Sequence, residues 1–382
     1  MSKKSKNLTH SLIDNVSGKL LNLRLSDKHL ISETGKPDKL RATEKTFADA
    51  ADAQKNFFKK EWEALKKGFV LNNENAKIGE PVLHKFIGGG NTGCLSFEQT
   101  PNGIYVCKNT QDNESGEFTD YLILIDNLGA VSHQIAMPFP LAWNISYREE
   151  TNSLLLIIDH FIFEYDIEKQ TFRNIAGEAR SMTSFLSVSK YKTAFATNGK
   201  THIVDNQNND LLTTNYDFEM INGTVPLDGK LSKDGQLLAF HNKAGEVQII
   251  DTSNGELIKN IVGNFQYVQE MEFAENNNLL VIQEQHGTWR MRYFDLTSNS
   301  EIEFKGLEIP EYTKEVRNFC FNADYSKLVL VQRTTAYVYD FNAKTFLHSF
   351  DLQHVVKTCN IKFVGEKLGV RSDYGCFSIY NV

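Results

Sequence analysis

The sequence predicts a mainly β chain: a seven-bladed β-propeller over residues 79–382, preceded by a small α+β domain over residues 10–78. Three observations predict it. Aromatic residues are abundant and proline is scarce. An aromatic or aliphatic residue followed by Asp returns at a near-constant interval. A lone strand-like segment stands upstream of the first repeat, where a ring would need it to close.

The first observation comes from composition. The 382 residues are 41% hydrophobic and include 26 Phe and 14 Tyr against 7 Pro. That balance suits packed aromatic strands and argues against disorder. No run of 18 apolar residues is present, so no membrane-spanning helix is expected. The start, Met1 to Lys6, is charged but lacks the apolar stretch of a signal peptide. The five cysteines are scattered without a Cys-x-x-Cys pair, which argues against a disulfide framework or zinc ribbon and for a reducing cytoplasm. The net charge of −7 is unevenly spread: residues 1–78 carry 16 Lys and Arg against 10 Asp and Glu. A basic head on an acidic body implies either two surfaces with different partners or two halves that attract each other.

The second observation is the repeat. Seven segments share an order of strand, polar turn, strand, polar gap, third strand, turn and fourth strand. Their third strands end at Asp126, Asp166, Asp205, Asp251, Asp295, Asp340 and Asn381, in steps of 40, 39, 46, 44, 45 and 41 residues. A four-stranded propeller blade has this period. The six aspartates are read as structural, because a short carboxylate accepts backbone N–H groups in the turn that follows.

The third observation concerns closure. The seventh repeat lacks a fourth strand. Residues 81–87 resemble the fourth strand of the fourth repeat and are expected to supply it, with Pro81 tolerated on an outermost strand.

Over about 300 residues the repeats resemble WD40-like propellers. The likeness is architectural, since the Gly-His pair before each blade and the Trp-Asp pair at the third strand are both absent.

Before the ring, Lys19–Leu25, His29–Ser32 and Leu40–Lys45 read as strands, with residues 1–9 as a disordered tail. Phe47, Ala50, Ala53, Phe57, Phe58, Trp62 and Leu65 then recur at helical spacing, and Gly68 ends the helix. This order and the Lys66-Lys67-Gly68-Phe69 ending resemble a WGR domain, with Thr34-Gly35-Lys36 at the Trp-Gly-Arg position. The resemblance implies nucleic-acid contact, for which Lys36, Lys39, Arg41, Lys59 and Lys66 are the candidates; the missing aromatic forgoes about 1–3 kcal/mol of base stacking.

Candidate partner-binding residues lie in the gaps between second and third strands, which a propeller gathers on one face: His160, His241, His286, Arg333, Arg371, Asp373 and Tyr374. A metal site built from His160, His241 and His286 would need all three at the channel mouth, and no metal is expected. The glycine run at 88–93 lacks the Lys-Ser/Thr ending of a phosphate loop and reads as a linker. No Gly-x-Ser-x-Gly or His-Glu-x-x-His motif occurs, so no catalytic residues and no cofactor are expected. The expectation is a monomeric, cytoplasmic, non-enzymatic scaffold that binds a protein partner. The alternatives are a nucleic-acid-associated protein using the basic head, and a ligand-binding or enzymatic propeller with a channel site.

Overall fold

The computed structural model describes residues 7–88, 93–110, 119–215, 228–241, 245–286, 288–309, 316, 318–356, 358–372 and 374–382. The chain opens with β1 (Leu8–Asp14), β2 (Leu20–Ser26), β3 (His29–Lys36) and β4 (Lys39–Thr46). Leu8 and Thr9, expected in a tail, pair with Leu25 and Arg24. Helix α1 (Ala50–Leu65) begins where Asp49 accepts the Asp52 backbone N–H at 2.8 Å. The turn after it closes at Gly68, whose φ of 95° suits a residue without Cβ. Next come β5 (Phe69–Asn72) and β6 (Pro81–Phe86).

Six four-stranded blades follow. Blade 1 holds β7 to β10 (Cys94–Thr100, Gly103–Lys108, Tyr121–Ile125, Val131–Ala136). Blade 2 holds β11 to β14 (Ala142–Arg148, Ser153–Ile158, Phe161–Asp166, Thr171–Ala176). Blade 3 holds β15 to β18 (Thr183–Val188, Lys192–Thr197, Lys200–Asp205, Asp210–Asn215). Blade 4 holds β19 to β22 (Asp228–Leu231, Leu237–His241, Glu246–Asp251, Leu257–Val262). Blade 5 holds β23 to β26 (Tyr267–Ala274, Leu279–His286, Thr288–Asp295, Ser300–Ile302). Blade 6 holds β27 to β30 (Asn318–Phe321, Lys327–Gln332, Thr335–Asp340, Thr345–Asp351). The last strands are β31 (Cys359–Val364), β32 (Lys367–Ser372) and β33 (Cys376–Asn381).

The expectation of seven separate blades is corrected. Strands β31, β32, β33 and β6 are the first four of a nine-stranded sheet that continues through β5, β1, β2, β3 and β4. Residues 81–86 do pair with β33, from Cys376↔Phe86 to Tyr380↔Pro81. β6 is not outermost, because β5 takes its other edge through Val70↔Lys85, Leu71↔His84 and Asn72↔Leu83. Pro81 is accommodated because it precedes that second pairing. The N-terminal stretch is therefore continuous with the closing sheet. Its core of Leu12, Leu23, Phe57, Leu65 and Leu71 also contains Cys376 of β33. Burying a Phe or Leu contributes about 1.5–3 kcal/mol, so this shared core ties head to ring.

The repeat aspartates act as expected. The Asp126 carboxylate accepts the N–H groups of Leu128 and Ala130, and Asp205 those of Gln207 and Asn209. Asp251, Asp295 and Asp340 accept from Ser253, Thr297 and Ala343. Inner strands touch their neighbours around the ring, with β31 seated between β27 and β7. Among the described residues, no helix is long and apolar enough to cross a membrane.

Candidate interaction face, channel and junction

The upper face carries the connections between second and third strands and those between blades. His160 is exposed, next to Asp159, with 3.5 Å between Nε2 and a carboxylate oxygen. Arg333 is exposed at a φ of 53°, and Tyr374 is exposed. Arg371 lies within β32, half-buried, with Nε unpartnered among the described residues. His241 is a correction: it ends β20, is fully buried, and shares its Nδ1 with the Glu246 carbonyl at 2.8 Å. An apolar neighbour such as Phe265, 6.3 Å away, explains why its side chain turns inward from the loop. His286 ends β24, and its side chain and Asp373 lie outside the described residues. His160 and His241 are not brought together as metal ligands.

Sequence reasoning missed what else this face carries. Phe139, Trp143, Met182 and Val356 are, like the already named Tyr374, 40–56% exposed, and all belong to upper-face connections or to the strand end beside one. Phe139 stacks on Phe161 with ring centroids 4.6 Å apart. Trp143 sits at a bulge, because the β11–β12 register skips from Ala142↔Ile158 to Asn144↔Ile157. A bulge re-aims a side chain out of the pleat. The run of Phe139, Leu141 and Trp143 between two blades was the available signal.

The ring's centre holds a second group. Lys230 of β19 pairs with Glu272 of β23 at 2.6 Å, and Tyr325 donates its hydroxyl to Glu272 at 2.7 Å. Across the ring, Lys362 pairs with Glu98 at 2.8 Å. Desolvation, with Glu272 adding to it against Lys230, pushes the Glu270 carboxyl up to about 7. Burial and the nearby Glu270 raise Asp228 well above the carboxylate range. On the lower face an open cavity of about 590 Å³ adjoins this group, lined by Lys190, Tyr191, Lys233, Asp234, Asn277 and Tyr325 among others.

The third site lies between α1 and the closing sheet. Glu61 is fully buried, one turn from Phe57 on the apolar stripe of α1. One carboxylate oxygen binds His10 Nδ1, and the other binds His354 Nε2 at 2.6 Å. His84 of β6 packs edge-on to His354 with ring centroids 5.1 Å apart. Its Nδ1 meets the Ser378 hydroxyl at 2.7 Å and its Nε2 the Gln353 side-chain oxygen at 3.0 Å. Burial, reinforced by His354 and His10, pushes His84 down to about 3. Burial alone would raise Glu61, but the two imidazoles bound to it hold it well below the ordinary range.

Lys36, Lys39 and Arg41 line the far edge of the nine-stranded sheet, while Lys59 lies on α1 and Lys66 caps it. Every residue of β4 is exposed, including Lys39 and Arg41, and so are Lys36, Lys59 and Lys66. Gly35 must be glycine: its φ is 145°, and a Cβ would come within 2.3 Å of the Lys39 carbonyl oxygen. Charges on an edge strand also discourage pairing with other chains.

Taken together, the six blades and the closing sheet define a β-propeller. No family model and no curated protein sequence matches the chain. Among solved structures, it is similar to a chain of a mitotic checkpoint complex, with a TM-score of 0.56 and 14% identity over 82% of this chain and 90% of that one. It is also similar to virginiamycin B lyase from Staphylococcus aureus, with a TM-score of 0.60 and 13% identity over 78% of this chain and 98% of that one. At such identities the likeness shows the fold alone: a β-propeller with WD40-like neighbours. A WGR-like domain in residues 10–78 is not shown by these likenesses.

Proposed function

We propose that this protein is a non-enzymatic scaffold that binds a protein partner through its upper face. The observation that carries the reading is the exposure of Phe139, Trp143, Met182, Val356 and Tyr374 on that face. Aromatic residues and Met are enriched at the centres of protein interfaces, and a few such anchors supply most of the binding energy. His160, Arg333 and Arg371 add polar groups to the same face. A chain of a checkpoint complex having this fold is consistent with the reading.

The test is affinity capture from the native cell with wild-type protein, a Phe139→Ser/Trp143→Ser double variant, and Tyr191→Ser on the lower face. The reading expects a partner retained by wild type and Tyr191→Ser and lost by the double variant. A partner retained equally by all three would overturn it.

A second reading assigns nucleic-acid contact to the basic edge, on the strength of the fully exposed β4 with Lys39 and Arg41. It expects binding that weakens steeply with salt and falls in a Lys36→Glu/Lys39→Glu/Arg41→Glu variant. Salt-independent binding, or none in low salt, removes it.

A further inference from the structure

We propose that Glu61, His84 and His354 form a binding site for a divalent transition metal of the zinc class, which would clamp the N-terminal extension onto the ring. The donor atoms of these three residues all lie within 4.8 Å of one another. Ligands that share one zinc ion at about 2.0–2.1 Å stand about 3.3 Å apart. The site would therefore close by side-chain rotation of about 1 Å, without backbone change. Two imidazoles and one carboxylate are a donor set preferred by late first-row divalent ions.

The surroundings supply what a metal site needs beyond its ligands. Such ligands are oriented by a second ring of hydrogen bonds, whose loss costs about 10–100-fold in affinity. His10 Nδ1 already holds the Glu61 oxygen that does not face His354. Ser378 holds His84 Nδ1, which leaves Nε2 as the ligating atom once Gln353 moves aside. Trp62 stacks on His354 at 5.2 Å and walls the site with apolar surface. His354 itself lies in a loop, at a φ of 57° and two residues from exposed Val356. The ligands come from α1, β6 and the β30–β31 connection, so an ion there would join three parts of the chain that are distant in sequence.

The proposal is independent of the upper-face reading. Its test uses full-length protein stripped with EDTA, then titrated with Zn2+ by calorimetry and with Co2+ by absorbance. The expected result is one equivalent of Zn2+ per chain, a higher midpoint of thermal unfolding with Zn2+, and visible Co2+ bands of a low-coordinate nitrogen and oxygen site. His84→Gln is expected to weaken binding at least 100-fold, and the milder Ser378→Ala 10–100-fold, with folding of both checked by circular dichroism. Absence of stoichiometric binding by the wild type, or unchanged affinity in folded Ser378→Ala and His84→Gln, would overturn the proposal.

Discussion

Glu61 on α1 and Glu270 on β23 are both glutamates drawn into the protein, and burial pushes both carboxyls toward the protonated form. Glu61 ends far below the usual range because His10 and His354 each take one of its oxygens. Glu270 is pushed up to about 7, because burial and the neighbouring carboxylate of Glu272 outweigh Lys230 and Lys362. The same side chain is thus a fixed anion at the junction and a titratable group at the centre of the ring. Partners, not depth, decide the sign.

The largest expected difference between the two regions comes from deleting each carboxylate. Glu61→Ala should cost about 3–5 kcal/mol at pH 7 in urea unfolding, as removing one member of a buried ionic group does. A loss below 1 kcal/mol would mean that the junction is solvated rather than clamped. Glu270→Gln should act in the opposite sense. The raised carboxyl of Glu270 is protonated in folded and unfolded chains at low pH, so it costs nothing there. Stability is lost as pH rises from about 4.5 to about 7, where only the unfolded chain ionises freely. The glutamine variant should therefore gain about 3 kcal/mol at pH 8 and show little gain near pH 4.5. An equal effect at both pH values would place the cause in packing.

Taken one pH unit below 6.5, the smallest of the three effects sharpens the contrast at the junction itself. His84 is held neutral down to about 3 in the folded chain, while the unfolded chain takes a proton near 6.5. Stability of metal-free protein should fall by about 1.4 kcal/mol per pH unit below 6.5 from this residue. His84→Gln should flatten that limb; a slope unchanged between the two would assign it to other groups.

The fold was largely legible, because a repeated turn leaves a repeated residue. Asp126, Asp166, Asp205, Asp251, Asp295 and Asp340 each do one local job, and local jobs survive in sequence. The pairing of residues 81–86 with β33 was legible for the same reason, as one strand in search of a sheet. What sequence reasoning missed depends on contacts across long separations. That β5 would take the other edge of β6, and so merge head and blade, is written in no local pattern. Glu61 had a signal, since it falls between Phe57 and Leu65 on the apolar stripe of α1, yet its two histidine partners come from residues 10 and 354. His241 was misplaced because a loop histidine and a strand-end histidine look alike until the neighbouring blade is known. Tyr374 was named from its loop, whereas Phe139 and Trp143 were overlooked because apolar residues in a β chain are first assigned to the core.

The way β6 is held has a consequence for the order in which the protein is made. His84 and Ser378, which meet across the clasp, are separated by 294 positions. At about 5–20 residues per second, a nascent chain waits roughly 15–60 s between making β6 and making the strand that closes on it. An open strand edge is a template for unwanted pairing during that interval. If β5, β1 and α1 assemble on one side first, β6 waits with a single edge free and with His84 beside the Glu61–His10 pair. The N-terminal extension would then be the jig on which the ring is closed.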